Sequence, residues 1–92
     1  MDRKQMDILD EVAAERNRQD AEWGAPAIAI RTAETGYRIL GEEVGEVAKA
    51  INERRRSGVR LELTHVAAVA VAMIEALDRG SPLVSGSLGG TK

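Results

Sequence analysis

The stretch Tyr37-Arg38-Ile39-Leu40-Gly41-Glu42-Glu43-Val44-Gly45-Glu46-Val47-Ala48-Lys49-Ala50-Ile51 decides how this 92-residue chain is read. Tyr37, Leu40, Val44, Val47, Ala48 and Ile51 recur at helical spacing and draw one apolar stripe. With Glu42 as the origin of a helical wheel, Glu43 falls at about 100° and Glu46 at about 40°, so the three acids share a face beside that stripe. Glu53 extends the acidic row and Lys49 lies along it. The pattern predicts a helix that Thr32 or Thr35 can cap and that continues to about Arg56. Gly36, Gly41 and Gly45 each weaken a helix interior by roughly 1 kcal/mol relative to Ala. Their spacing is expected to mark a close helix crossing, or else another group approaching the backbone. Arg54-Arg55-Arg56 complements the negative end of the helix dipole, and Ser57-Gly58 reads as the stop.

Helices are expected on both sides. Asp2 with Gln5 three residues later fits a capping box, and Met6, Leu9, Val12, Ala13 and Arg16 follow at helical spacing, predicting a first helix from Asp2 to Trp23. Gly24 and Pro26 end it, and Ala25 to Arg31 reads as a linker. The third helix is expected from Val59 or Arg60 to Arg79. From Val66 to Ile74 it is apolar all round, which calls for cover on several sides. Two helices of the same chain can hardly supply that, so the reading is an all-α bundle of three main helices completed by homo-oligomerisation, as a dimer or tetramer. Gly80-Ser81-Pro82 ends the third helix. The domain is placed at residues 1–80, with residues 81–92 as a flexible Gly/Ser-rich tail.

Composition narrows the function. A domain of this size buries little more than ~60% of the surface its unfolded chain exposes, so it needs a staple. Cysteine is absent, which excludes disulfides and thiolate zinc sites and suits a reducing compartment. The remaining staples are a partner subunit and a metal held by oxygen and nitrogen. The longest apolar run, nine residues, is far short of the ~20 of a spanning helix, and a soluble cytoplasmic protein is expected. Fifteen acidic and 13 basic residues leave a formal charge of −2, too little for a field that attracts nucleic acid. Arg54 to Arg56 and Arg60 lack aromatic platforms and read as dipole partners on a solvated face, so no nucleic-acid binding is expected.

The chemistry is concentrated in Glu42, Glu43 and Glu46 and in Glu62-Leu63-Thr64-His65, where Glu62 and His65 project together from the start of the third helix. Three carboxylates within one turn repel one another, and a hard divalent cation would relieve them. The 15 residues between Glu46 and Glu62 let the second and third helices pack antiparallel, one turn facing the other. Without a metal, the same acids would form a solvated face balanced by Lys49 and the arginines, and His65 would be a polar residue at the core edge.

Glu42-Glu43-x-x-Glu46 followed by Glu62-x-x-His65 resembles the EExxE and ExxD motifs of the MazG-like all-α nucleoside triphosphate pyrophosphohydrolases. The small bacterial and phage members are closer still. They carry segments similar to Glu15-Arg16-x-Arg18-Gln19-Asp20-Ala21-x-Trp23-Gly24, to Ile39-Leu40-x-Glu42-Glu43-Val44-x-Glu46 and to Glu62-Leu63-x-x-Val66-Ala67-Ala68-Val69-Ala70-Val71-Ala72. The resemblance covers nearly the whole chain apart from the tail. It implies an oligomeric helical bundle that hydrolyses (d)NTP to (d)NMP and pyrophosphate with Mg²⁺. It also implies metal ligands at Glu42, Glu43, Glu46, Glu62 and His65, with Glu43 and Glu46 catalytic and Glu43 either a ligand or the base for the attacking water. Lys49 and either Arg16 or Arg18 are the candidates for the phosphates, and Trp23 either stacks on a base or caps the core. His65 stands where the family has an acid, which opens the site to Mn²⁺. Two other functions fit the residues: a non-catalytic helical assembly or binding module, and a di-metal carboxylate oxidase completed across a dimer.

Overall fold

A computed structural model describes residues 1–24 and 30–86, all helix and short connections, with no strand among the described residues. Three helices follow in order: α1 (Arg3–Trp23), α2 (Ala33–Asn52) and α3 (Arg56–Asp78). The Asp2 carboxylate accepts the Gln5 N–H at 2.9 Å while the Gln5 side chain accepts the Asp2 N–H at 3.0 Å, so the expected capping box forms. Thr32 caps α2 by accepting the Thr35 N–H. Two further N–H groups of α2, those of Ala33 and Glu34, donate to the carbonyls of Pro82 and Leu83. The folded unit therefore extends past residue 80, and the segment after α3 begins tied to α2 rather than as a free tail. Residues 87–92 of the predicted tail, and Ala25 to Ala29 of the linker, lie outside the described residues.

The α2–α3 junction differs from the expectation. α2 stops at Asn52, Arg54 takes a left-handed turn at φ 54°, and α3 begins at Arg56, three or four residues early. Ser57-Gly58 is thus inside the first turn of α3. Gly58 is buried there beneath the Arg55 side chain, whose guanidinium would have to shift to admit a Cβ.

α3 is the element on which both others pack. α1 runs in its direction, Glu11 meeting Arg60 and Glu15 meeting His65, whereas α2 runs against it, Gly36 facing Met73 near one end and Glu43 facing Glu62 further along. The core is small-residue: Ala50, Ala68, Val69, Ala72 and Ala76 with Val12 and Ile30. Ile30 is only 2% exposed and joins Ala72 and Ala76, with Trp23, Ile39 and Met73 against them, so part of the apparent linker is core and Trp23 flanks it.

Two apolar patterns point outward. On α1 the inward face is Val12, Arg16 and Gln19, while Met6 and Leu9 of the predicted stripe are exposed. On α2 the residues that pack inward are Gly36, Glu43 and Ala50, a quarter turn from the centre of the apolar stripe, so Tyr37 (70% exposed), Val44 and Ile51 face out. Along Val66 to Ile74, Ala68, Val69 and Ala72 are buried by the chain itself, whereas Ile74 is 58% exposed. In this all-round apolar segment only Val71 and Ile74 are exposed, and the rest is wholly or partly covered by the chain's own helices.

Candidate metal centre

Where α2 and α3 cross, the sequence puts an acid in the packing face of each, and His65 sits one turn beyond Glu62. His65 Nδ1 lies 2.9 Å from Glu62 Oε1 and 3.4 Å from Glu43 Oε2, and its Nε2 lies 3.7 Å from Glu15 Oε2 on α1. One imidazole thus touches a carboxylate from each of the three helices. The donor atoms of Glu43, Glu62 and His65 all fall within 4.8 Å of one another, and all three residues are half-buried. Ligands at roughly 2.0–2.4 Å from a common ion can be separated by that much at most, so the trio fits a divalent cation. Two carboxylates and an imidazole suit Mn²⁺, Fe²⁺ or Zn²⁺, and the oxygen donors also suit Mg²⁺.

The electrostatics point the same way. Burial holds the Glu43 carboxyl above its ordinary pKa, against the pull of His65, and the nearby carboxylates of Glu62, Glu46 and Glu15 push it further up. Each of these is a cost that a cation would reverse. Glu15 shifts the other way. Arg18 donates to both its oxygens, at 2.8 and 2.7 Å, which depresses its pKa against the effect of burial, and His65 and the Gln19 amide add to the depression.

Of the five residues that the sequence singled out as ligands, the structure therefore joins Glu43, Glu62 and His65. Glu46 is exposed but close enough for its charge to act on Glu43, and Glu42 is exposed on the outer side of α2. Lys49 is exposed as well. Arg16 is 5% exposed, donates to Glu75 at 3.0 and 2.6 Å and pairs with Asp20, so its guanidinium is already engaged. Trp23 lies against the Ile30–Ala72–Ala76 cluster. Glu15 was missed as a site residue: in a helix crowded with charge, no spacing relative to α3 marks it. Its place in the segment from Glu15 to Gly24 was the one available signal.

No family model, no curated protein and no solved structure matches this chain. No helix among the described residues is long and apolar enough to cross a membrane.

Proposed function

We propose that the protein is a divalent-metal-dependent nucleoside triphosphate pyrophosphohydrolase, cleaving (d)NTP to (d)NMP and pyrophosphate. The observation that carries the reading is the meeting of Glu43 from α2 with Glu62 and His65 from α3 within one ion's reach. The sequence resemblance assigns metal chemistry to these positions. A bound Mg²⁺ or Mn²⁺ would neutralise phosphate charge and lower the pKa of a water. The chain's own contribution is to hold the donors on rigid helices: Glu43 and Glu62 from facing turns, His65 fixed among three carboxylates. Glu46, exposed one turn from Glu43, is placed to hold a proton or water at the rim. Lys49, an exposed cation of the same helix, is the candidate for the phosphates, a role that Arg16 cannot share while it is bound to Glu75.

Self-association belongs to the same proposal. Ile51, Val59 and Leu63 line a groove between α2 and α3, and Ile8, Val12, Leu63 and Ala67 line one between α1 and α3. Leu63 is common to both grooves, whose linings also include Arg54, Arg56 and Arg60, so the proposed seat for a second copy is apolar side chains interspersed with arginine.

Pyrophosphate release measured across the (d)NTPs with Mg²⁺ and with Mn²⁺ tests the reading. Turnover that disappears in Glu43→Gln and Glu62→Gln is expected; a folded protein inert with both metals removes it. The exposure of Glu42 and the engagement of Arg16 favour one rival, a non-catalytic helical module, which predicts no metal-induced rise in melting temperature.

A further inference from the structure

We infer that Glu15 of α1 is a positioning residue for this centre: its carboxylate faces Nε2 of His65, so that Nδ1 is the nitrogen offered to a divalent cation beside Glu43 and Glu62. The inference rests on the metal reading above and adds to it the residue that aims its one nitrogen ligand.

The contacts divide the imidazole into two sides. Nδ1 faces the acids of α2 and α3, at 2.9 Å from Glu62 Oε1 and 3.4 Å from Glu43 Oε2. Nε2 faces α1, 3.7 Å from Glu15 Oε2. Turning the ring over would put a carbon where each of these nitrogens stands, so the carboxylates themselves select this orientation. A neutral imidazole carries one proton. With the Nδ1 lone pair directed at the ion, that proton belongs on Nε2, the nitrogen that Glu15 faces. At 3.7 Å the contact is one of charge rather than a hydrogen bond. A negative charge on that side still favours the tautomer with its N–H there.

Glu15 is well fixed for the task. Its side chain is 10% exposed, and Arg18 donates to both of its oxygens, at 2.8 and 2.7 Å. Oε2, the oxygen nearest His65, keeps a second lone pair free of Arg18. Arg18 is anchored in turn by Glu22. A row of alternating charge, Glu22, Arg18 and Glu15, therefore runs along α1 and ends at the ring carried by α3. Glu15 is not among the donors that gather within one ion's reach, so it acts on the ion through the imidazole. A carboxylate on the far nitrogen of a metal-binding imidazole fixes the ring and raises its basicity, and losing such a partner costs roughly 10- to 100-fold in metal affinity.

The test compares the full chain as wild type, Glu15→Gln and Glu15→Leu, with Zn²⁺ as the probe. Calorimetry and the rise of melting temperature with Zn²⁺ concentration give the affinities. Two-bond ¹H–¹⁵N NMR of the Zn²⁺-loaded protein shows which nitrogen of the chain's single histidine holds the metal and which the proton. In the wild type Nδ1 should hold Zn²⁺ and Nε2 the proton. Glu15→Leu should bind Zn²⁺ roughly 10- to 100-fold more weakly. Glu15→Gln loses the same charge but keeps an oxygen that can accept from Nε2–H, so it should retain Nδ1 binding and fall between the two. Zn²⁺ on Nε2 of the wild type would overturn the inference even if no variant folds. So would a Zn²⁺ affinity that is unchanged in the variants, which leaves Glu15 a partner of Arg18 alone, or one lowered equally in both, which leaves it a bare charge. In each of these cases the metal site stands, whereas absence of Zn²⁺ binding by the wild type would overturn both readings.

Discussion

Gly36 and Gly41 lie five residues apart on α2, yet alanine should act on them with opposite sign. In a helix interior Gly→Ala gains roughly 1 kcal/mol, somewhat less near the end where Gly36 sits. At Gly41 a Cβ would meet nothing within 4 Å among the described residues, so Gly41→Ala should be stabilising by about that amount. At Gly36 the same atom would lie 2.7 Å from Met73 Cγ, 3.2 Å from Ile30 Cγ2 and 3.3 Å from Met73 Cε. Carbon pairs rest at about 3.5–4.0 Å. Cγ is not the free end of the Met73 side chain, so relief requires a rotamer change or a small retreat of α2 from α3. Overpacking of this kind costs about 1–3 kcal/mol, the softness of methionine holding it toward the lower figure. The net for Gly36→Ala is a loss of about 0–2 kcal/mol, which sets the two variants about 1–3 kcal/mol apart. For a domain of this size each kcal/mol is about 4–8 °C of melting temperature. Thermal and urea denaturation followed by far-UV circular dichroism, at one protein concentration, measures the contrast. Gly36→Ala as stable as Gly41→Ala would refute the packing argument. A destabilised Gly41→Ala would show that something covers the outer side of α2.

Three further outcomes are expected. Burial, opposed by His65 and reinforced by neighbouring carboxylates, raises the Glu43 pKa above its ordinary 4.5, so the folded state keeps its proton longer. The contribution of Glu43 to stability therefore falls as pH rises through the window above 4.5. In metal-free buffer Glu43→Gln should flatten pH-dependent melting in that window and be the more stable protein at neutral pH, and unchanged curves would refute the assignment. Arg16→Met should be destabilising by about 1–3 kcal/mol in urea titrations, less than the ~3–5 of a fully buried pair, because Glu75 and Asp20 remain partly hydrated. If a second copy seats on this face as proposed, Leu63→Glu, at a residue 51% exposed, should leave the chain folded but lower the mass measured by light scattering, and a monomeric wild type or an unchanged mass would refute that interface.

Helix existence was legible because its signals are local: Asp2 with Gln5, Thr32 with Thr35 and the periodic apolar residues each act within one turn. The α2–α3 turn was not, because arginines are good helix formers and nothing in Arg54-Arg55-Arg56 announces a break. The Ser57-Gly58 pair that reads as a stop lies instead inside the first turn of α3. The centre was legible by halves. Glu43, Glu62 and His65 follow from spacing on two antiparallel helices, whereas Glu15 reaches His65 through the packing of α1. Nothing in a charged helix distinguishes the turn that faces a partner from the turns that face water.

The offset between the apolar stripe of α2 and its packing face connects these observations. A helix pair closing on its largest apolar residues would bury Tyr37, Val44 and Ile51 and turn Glu43 toward water. Here the pair closes on Gly36 and Ala50 against an alanine-rich α3, which brings the backbones near and carries Glu43 inward, between them, to Glu62 and His65. The half-buried acid and the outward apolar face are thus two results of one rotation of α2. Neither is favourable for a chain alone: the first strains the electrostatics of Glu43 and the second leaves large side chains in water. On the proposed reading a cation would relieve the first and a second copy the second, so that both would stabilise the same register of α2 on α3.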